Sequence, residues 1–192
     1  CAFQYNPITL LDLGQGVETI GVSAFADGGV QRVNLPDSLT ALGAYAFAGN
    51  YDLQGLKIGK GLTTIPVGGF SGTGLESVTL PANITAIEES AFSGCDTLIA
   101  VDIQNPACSL GSFAFAGCRL QSLTLGDKIT QIPEGAFRGN AFEKVELPQS
   151  VTSLVYGAFW NCENLKDITL PNNLQHFGGH VLDGTAWYNS QE

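Results

Sequence analysis

The 192-residue chain carries 18 acidic and eight basic side chains beside two histidines, a formal net charge of −10. With no basic stripe to displace phosphate counterions, nucleic-acid binding is excluded as the expected role, and the acidity opposes docking on anionic lipid. No apolar run approaches the roughly 20 residues of a membrane span, while 44% hydrophobic and only 14% charged residues leave Gly, Ser, Thr and Asn to cover the surface of a packed core.

In chain order, a triplet of the form hydrophobic-x-x-hydrophobic-x-hydrophobic recurs as Ile8-Leu11-Leu13, Val30-Val33-Leu35, Leu53-Leu56-Ile58 and Leu75-Val78-Leu80, then as Leu98-Val101-Ile103, Leu120-Leu123-Leu125, Phe142-Val145-Leu147 and Leu165-Ile168-Leu170. Its period-2 alternation predicts a short strand with one buried face. Pro36, Pro81, Pro148 and Pro171 follow the strand directly, and Gly14, Gly59 and Gly126 take that place elsewhere, either residue ending a ladder. A second apolar pair comes next (Val17/Ile20, Leu39/Leu42, Leu62/Ile65, Ile84/Ile87, Ala107/Leu110, Ile129/Ile132, Val151/Leu154, Leu174/Phe177), and its spacing of three predicts a bent strand or an irregular turn. Each copy closes on an aromatic column of Phe3, Phe25, Phe47, Phe70, Phe92, Phe115, Phe137 and Phe159, with Leu182 in the ninth place. The Ala-Phe-x-Gly stretch around it predicts a single 3₁₀-like turn, too short for a stable helix.

From each triplet to the next Phe or Leu182 is always 17 residues, whereas from Phe to the next triplet is five or six. All slack sits in one corner, as a coil of constant cross-section requires. One repeat cannot bury its own apolar face, so copies must stack at about 4.8 Å per strand and pair as parallel sheets. The expected fold is a mainly β repeat solenoid.

Leu75-x-x-Val78-x-Leu80-Pro81-x-x-Ile84-Thr85-x-Ile87-x-x-x-Ala91-Phe92-x-Gly94-Cys95 resembles the repeat of the BspA-type leucine-rich family. The resemblance covers essentially the whole chain. It implies a right-handed leucine-rich-repeat coil with a parallel sheet on one edge and short 3₁₀ or turn segments on the others. It also implies a secreted or surface-attached protein, extracellular or at the cell surface, serving adhesion to host proteins or other cells. Residues 1–192 then form a single domain of eight full repeats (8–29, 30–52, 53–74, 75–97, 98–119, 120–141, 142–164, 165–187) after a partial repeat 1–7. Cys1-Ala2-Phe3 sits in register as the tail of an earlier repeat, and both ends look cut from something longer. Asn105-Pro106-Ala107-Cys108, Val67-Gly68-Gly69 and Val181-Leu182 depart from the formula and mark expected irregularities.

The five cysteines form no C-x-x-C pair. Cys95, Cys118 and Cys162 share a column with Asn6, Asn50 and Asn140, where the resemblance implies side-chain bonds to the backbone of the stack. Cys95 and Cys118 fall in adjacent coils, so a disulfide is conceivable by distance; parallel inward side chains favour reduced thiols. Cys108 sits in the column of Thr40, Thr63, Thr85, Thr130 and Thr152, packed rather than reactive. His176 and His180, with Asp183, form a weak zinc pattern without a helix to present it. Neither a phosphate loop nor a G-x-S-x-G elbow occurs, so no enzyme, no metal and no cofactor are expected. Asn83-Ile84-Thr85 is a glycosylation sequon by pattern, yet Ile84 and Thr85 belong to the repeat formula.

The exposed strand face remains as the candidate interaction face, through Arg32, Asn34, Lys57, Ser77, Thr79, Asp102, Lys144, Glu146 and Asp167. It is mixed and free of aromatics, whereas binding hot spots favour Trp, Tyr and Arg. Tyr45, Phe113, Tyr156 and Trp160 gather near the Ala-Phe turn as an alternative patch. The expected function is a non-enzymatic interaction or adhesion module taking a protein or glycan ligand, with no nucleic acid and no direct membrane insertion. A structural spacer within a larger surface protein is the alternative.

Overall fold

A computed structural model describes residues 2–190, so the reading of Cys1 lies outside the described residues. In chain order the strands are β1 (Thr19–Ile20), β2 (Arg32–Asn34), β3 (Ala41–Leu42), β4 (Gly55–Lys57), β5 (Thr64–Ile65), β6 (Ser77–Leu80) and β7 (Ala86–Ile87). There follow β8 (Ala100–Ile103), β9 (Ser109–Leu110), β10 (Gln131–Ile132), β11 (Lys144–Glu146), β12 (Ser153–Leu154), β13 (Asp167–Thr169) and β14 (His176–Phe177). A single-turn helix α1 (Ala186–Asn189) is capped by Thr185, whose side chain accepts the Tyr188 N–H. Every strand pair is parallel and joins one coil to the next. The chain is a mainly β solenoid: β2, β4, β6, β8, β11 and β13 form a first arm at the predicted triplets, and the other eight strands form a second arm.

The expected rings stack as a spine. From Phe3 to Phe159 consecutive rings lie 5.3 to 5.9 Å apart and within 17° of parallel. Phe47, Phe70, Phe92, Phe115, Phe137 and Phe159 are fully buried. Around them the predicted 3₁₀-like turn is resolved into two overlapping reverse turns. Ala46 N–H donates to Gly43 O and Ala48 N–H to Tyr45 O, while the intervening N–H groups of Tyr45, Phe47 and Gly49 donate to Val67, Gly69 and Ser71 of the next coil. Tyr45 (φ 57°) and Gly49 (φ 69°) occupy the left-handed region, which stops the i→i+3 pattern from propagating. The irregular Val67-Gly68-Gly69 now has a reason. The Tyr45 ring lies across the next coil's backbone, where a Cβ on Gly68 would come within 2.2 Å of Tyr45 Cε1; Phe113 covers Gly135 the same way, at 2.3 Å.

Corner length governs pairing in the first arm. The six-residue corners after Phe47, Phe92 and Phe159 each close an extra turn, through Leu53 N–H to Asn50 O, Leu98 N–H to Cys95 O and Leu165 N–H to Cys162 O. The strand that follows then pairs with its predecessor: β4 on β2, β8 on β6 and β13 on β11. Corners of five residues tie their N–H groups to the previous coil instead, as in Gly74 N–H to Asn50 O and Ala141 N–H to Leu120 O. Among the described residues, no strand after a five-residue corner (after Phe3, Phe25, Phe70, Phe115 or Phe137) pairs with the coil before it, beyond the lone Leu10–Arg32 bridge. Gln121–Leu125, predicted as a strand, forms none. Deleting Asp52, exposed in a six-residue corner, is therefore expected to open β2 and β4 selectively. Amide exchange at Arg32–Asn34 and Gly55–Lys57 should rise at least about tenfold while β12 stays protected. Unchanged protection there would refute the corner rule.

The second arm follows a different residue. Pro36, Pro81, Pro148 and Pro171 precede β3, β7, β12 and β14, and Pro106 precedes β9; all five strands pair with the coil before. Gly59 and Gly126 precede β5 and β10, which do not. These glycines do more than end a ladder. A Cβ at Gly59 would sit 2.4 Å from Pro36 O and one at Gly126 only 2.1 Å from Pro106 O, so the backbones touch there and only glycine fits. One joint thus lacks strand pairing on both arms, that between residues 98–119 and 120–141, where a hollow of about 310 Å³ opens beside Cys108 and Gln131. The Phe edge spans it, by Phe113 N–H to Glu134 O, Phe115 N–H to Ala136 O and Gly117 N–H to Arg138 O. Gln121 N–H to Ile99 O adds one more bond. The Phe115–Phe137 separation of 5.9 Å is the widest in the stack.

Candidate interaction surface

All nine residues predicted for the strand face are exposed and lie on the first arm. Register places Arg32 beside Gly55, Asn34 beside Lys57, Ser77 beside Ala100, Thr79 beside Asp102, Lys144 beside Asp167 and Glu146 beside Thr169. The face is broken into three two-stranded pieces rather than one continuous sheet, for the corner reason above. Only the last piece is organised by charge. Lys144 Nζ lies 2.7 Å from Glu146 Oε1 and 3.8 Å from Asp167 Oδ2. The hydrogen bond with Glu146, then the charges of Glu146 and Asp167, hold the Lys144 ammonium above its ordinary pKa; the same bond holds the Glu146 carboxyl below its own. Both groups are fully exposed, so the pair orients side chains and adds little stability. Arg32 lays its stem over Gly55, whose missing side chain leaves the room.

The Asn/Cys column turns inward as the resemblance implied, except at the first coil, where Asn6 is exposed and donates to Gln4 O of its own turn. Asn50 accepts the Val30 N–H and donates to Phe25 O and Phe47 O; Asn140 accepts the Leu120 N–H and donates to Phe115 O and Phe137 O. Cys95, Cys118 and Cys162 are free thiols, donating to Phe70 O, Phe92 O and Phe137 O at 3.1 to 3.2 Å. Burial pushes the Cys118 thiol up, the Cys162 thiol up to about 12 and the Cys108 thiol up to about 11. Such thiols carry almost no thiolate at neutral pH and are poor nucleophiles. Asn83 spends its amide N–H groups on Gly59 O and Leu62 O, so the sequon works as a turn clamp. His176 lies on β14 and His180 on the Phe edge, paired with Asp183; among the described residues no group of three or more His, Cys, Asp or Glu converges on a metal-sized site.

Of the four aromatics of the alternative patch, Tyr156 and Trp160 come together, and they gather residues outside that set. Trp160 stands in coil order between the Arg138 guanidinium, 4.3 Å from its ring centroid, and the His180 imidazole, stacked at 5.9 Å. Tyr156 meets both rings edge-on. Arg138, His180 and Asp183 were missed as members of it. The signal for Arg138 and Asp183 was the column one place after the Phe, which reads Gln4, Ala26, Ala48, Ser71, Ser93 and Ala116 before turning to Arg138, Trp160 and Asp183.

The repeat profile described as the BspA type leucine-rich repeat region matches six copies over residues 1–106 and 97–190. No curated protein matches the chain. Among solved structures, a leucine-rich repeat protein from Bacteroides ovatus is 21% identical, with a TM-score of 0.58 over 89% of this chain and 63% of that one. One from Faecalibacterium prausnitzii, described as a leucine rich cell surface protein, is 21% identical with a TM-score of 0.61 over 88% and 49%. A leucine-rich repeat protein of T. pallidum is 25% identical with a TM-score of 0.57 over 89% and 71%. The chain therefore spans about half to seven-tenths of these relatives' length. Stacked repeats, phenylalanine spine, inward Asn/Cys column and a profile covering nearly every residue agree, and the chain belongs to the BspA-type leucine-rich repeat family.

Proposed function

We propose that the chain is a non-enzymatic interaction or adhesion module, secreted or displayed at a cell surface, that binds a protein or glycan along the solenoid's flank. The observation that supports this reading is geometric. Each coil offers a short exposed row of side chains, and the interior is filled by its own Phe, Leu and Asn side chains. Affinity then comes from adding contacts over successive coils, with Arg32, Asn34, Lys57, Ser77, Thr79, Asp102, Lys144, Glu146 and Asp167 as the strand-face contribution. The spacer reading keeps one observation in its favour, the absence of aromatics from the strand face.

Immobilised protein presented with matrix proteins and a glycan array tests the proposal. Binding at micromolar concentration or better, about −8 kcal/mol, supports an interaction module. No binding to either class, together with unaltered cell attachment when the repeats are deleted in the native gene, would leave the spacer.

A further inference from the structure

The Arg138–Trp160–His180 stack points to a ligand that the strand face does not explain. Five earlier coils put Ala or Ser one place after the Phe, so core packing does not demand Arg138, Trp160 or Asp183 there. Arg138 is held flat by Trp160, and among the described residues its guanidinium has no hydrogen-bond or ion-pair partner. What sets Arg138 apart from Arg32 and Arg119 is the aromatic ring beneath its guanidinium, since none of the three has an ion pair among the described residues. Arg138 borders an open trough of about 510 Å³ that is also lined by Ser90, Ser93, Phe113, Gly117 and Asn161. The hydroxyls of Ser90 and Ser93 and the Asn161 amide make no side-chain hydrogen bonds within the described residues either. Past Asn161 the trough meets a second hollow of about 410 Å³ bordered by Arg119, Glu163 and Asn164.

A guanidinium fixed against an aromatic ring presents paired N–H groups suited to a planar carboxylate. Glu134 stands with Arg138 and Trp160 in an adjoining hollow of about 90 Å³, while on the trough side lie neutral hydroxyl and amide groups and the apolar surface of Phe113 and Ala116. That mixture matches a molecule with many hydroxyls, a few C–H faces and one carboxylate. A polyanion is disfavoured, because the net charge of −10 repels it. We propose that this trough is a binding site for an acidic oligosaccharide, its carboxylate on Arg138 and its hydroxyls on Ser90, Ser93 and Asn161. The proposal deepens the interaction-module reading and rests on it.

The probes are 3′-sialyllactose and 6′-sialyllactose, each with a single carboxylate, with lactose as the uncharged counterpart and hexaglutamate as the peptide counterpart. Binding is followed by tryptophan fluorescence, Trp160 being one of only two tryptophans, and by saturation-transfer NMR. At least one acidic sugar should bind, and lactose and hexaglutamate should bind about tenfold more weakly or worse. Arg138→Ala should weaken the acidic sugar at least about tenfold and Arg138→Lys nearly as much, since Lys lacks the planar fork. Lys144→Ala on the strand face should leave it unchanged, and thermal unfolding certifies each variant as folded. Equal binding by Arg138→Ala, preference for hexaglutamate, or no binding of either acidic sugar at about 10 mM would overturn the proposal. If other glycans or matrix proteins still bind in that event, the trough assignment fails and the module reading survives.

Discussion

Replacing Phe115 with alanine is expected to lower unfolding stability by about 3–5 kcal/mol and to uncouple the two halves of the array. Phe115 is fully buried and stacked between Phe92 and Phe137, so truncation removes a ring's transfer energy and leaves a cavity that fixed backbones on both sides cannot close. For a chain of this size that corresponds to a fall in Tm of roughly 10 °C. The uncoupling is the sharper expectation. The joint after residue 119 has no strand pairing on either arm, and the spine is its main link. In a stack whose stability is a sum of repeat and neighbour terms, a defect there divides the chain. Urea unfolding of Phe115→Ala should broaden or split, with a reduced apparent m-value. Phe47→Ala creates a similar cavity where β4 still pairs with β2, and should lower the midpoint without splitting. Phe3→Ala, at the half-exposed end of the stack, should cost far less. A Phe115→Ala transition as sharp as that of Phe47→Ala would show that the arms, not the rings, hold the coils together.

That contrast marks what could be read from the residues alone. The column of Phe at steps of 22 or 23 specifies the coil, because only stacking buries a ring that recurs once per turn. The strand triplets carry their own period, and the Asn/Cys column was legible as an inward turn position. The continuity of the sheets was not. Both determinants are in plain view, a sixth corner residue and a Gly in place of Pro. Their effect depends on whether a corner closes its own i→i+3 bond or ties to the coil before, which is a property of three-dimensional reach. The exposure of the strand-face residues was legible because alternation dictates it. The Arg138–Trp160–His180 stack was only half seen, through its aromatic members, since residues 22 apart become neighbours along a column and a window moving along the chain never sees them together. Tyr45 and Phe113 mislead for a related reason. Their rings are partly used on Gly68 and Gly135, so an aromatic on the turn edge does not by itself mark a docking site.

The same joint also carries a buried side-chain amide, and Asn140→Ala is the second large effect. Asn140 Nδ2 donates to Phe115 O at 2.8 Å across the joint and to Phe137 O at 2.9 Å within its own coil, and Oδ1 accepts the Leu120 N–H at 3.0 Å. Alanine strands a buried donor and weakens the bonding of two buried carbonyls, at about 1–3 kcal/mol for a group left without a partner. A total of roughly 3 kcal/mol is expected, near the effect of a lost ring although no cavity of that size forms. The column itself supplies the control. Cys118, one coil earlier, donates only to Phe92 O, so Asn140→Cys keeps a single weak bond and should fall between wild type and alanine. Asn140→Asp separates hydrogen bonding from shape. The ionised carboxylate would face the Phe115 and Phe137 carbonyls with no proton to offer, so burial and repulsion raise its folded-state pKa above the unfolded value of about 3.9. The native state then binds the proton more tightly, and the penalty grows as pH rises from the unfolded pKa to the folded one and is complete above it. Denaturation midpoints of Asn140→Asp should therefore lie closest to wild type near pH 4 and farthest at pH 8. A pH-independent difference would mean that Asn140 fills space at this joint and does not clamp it.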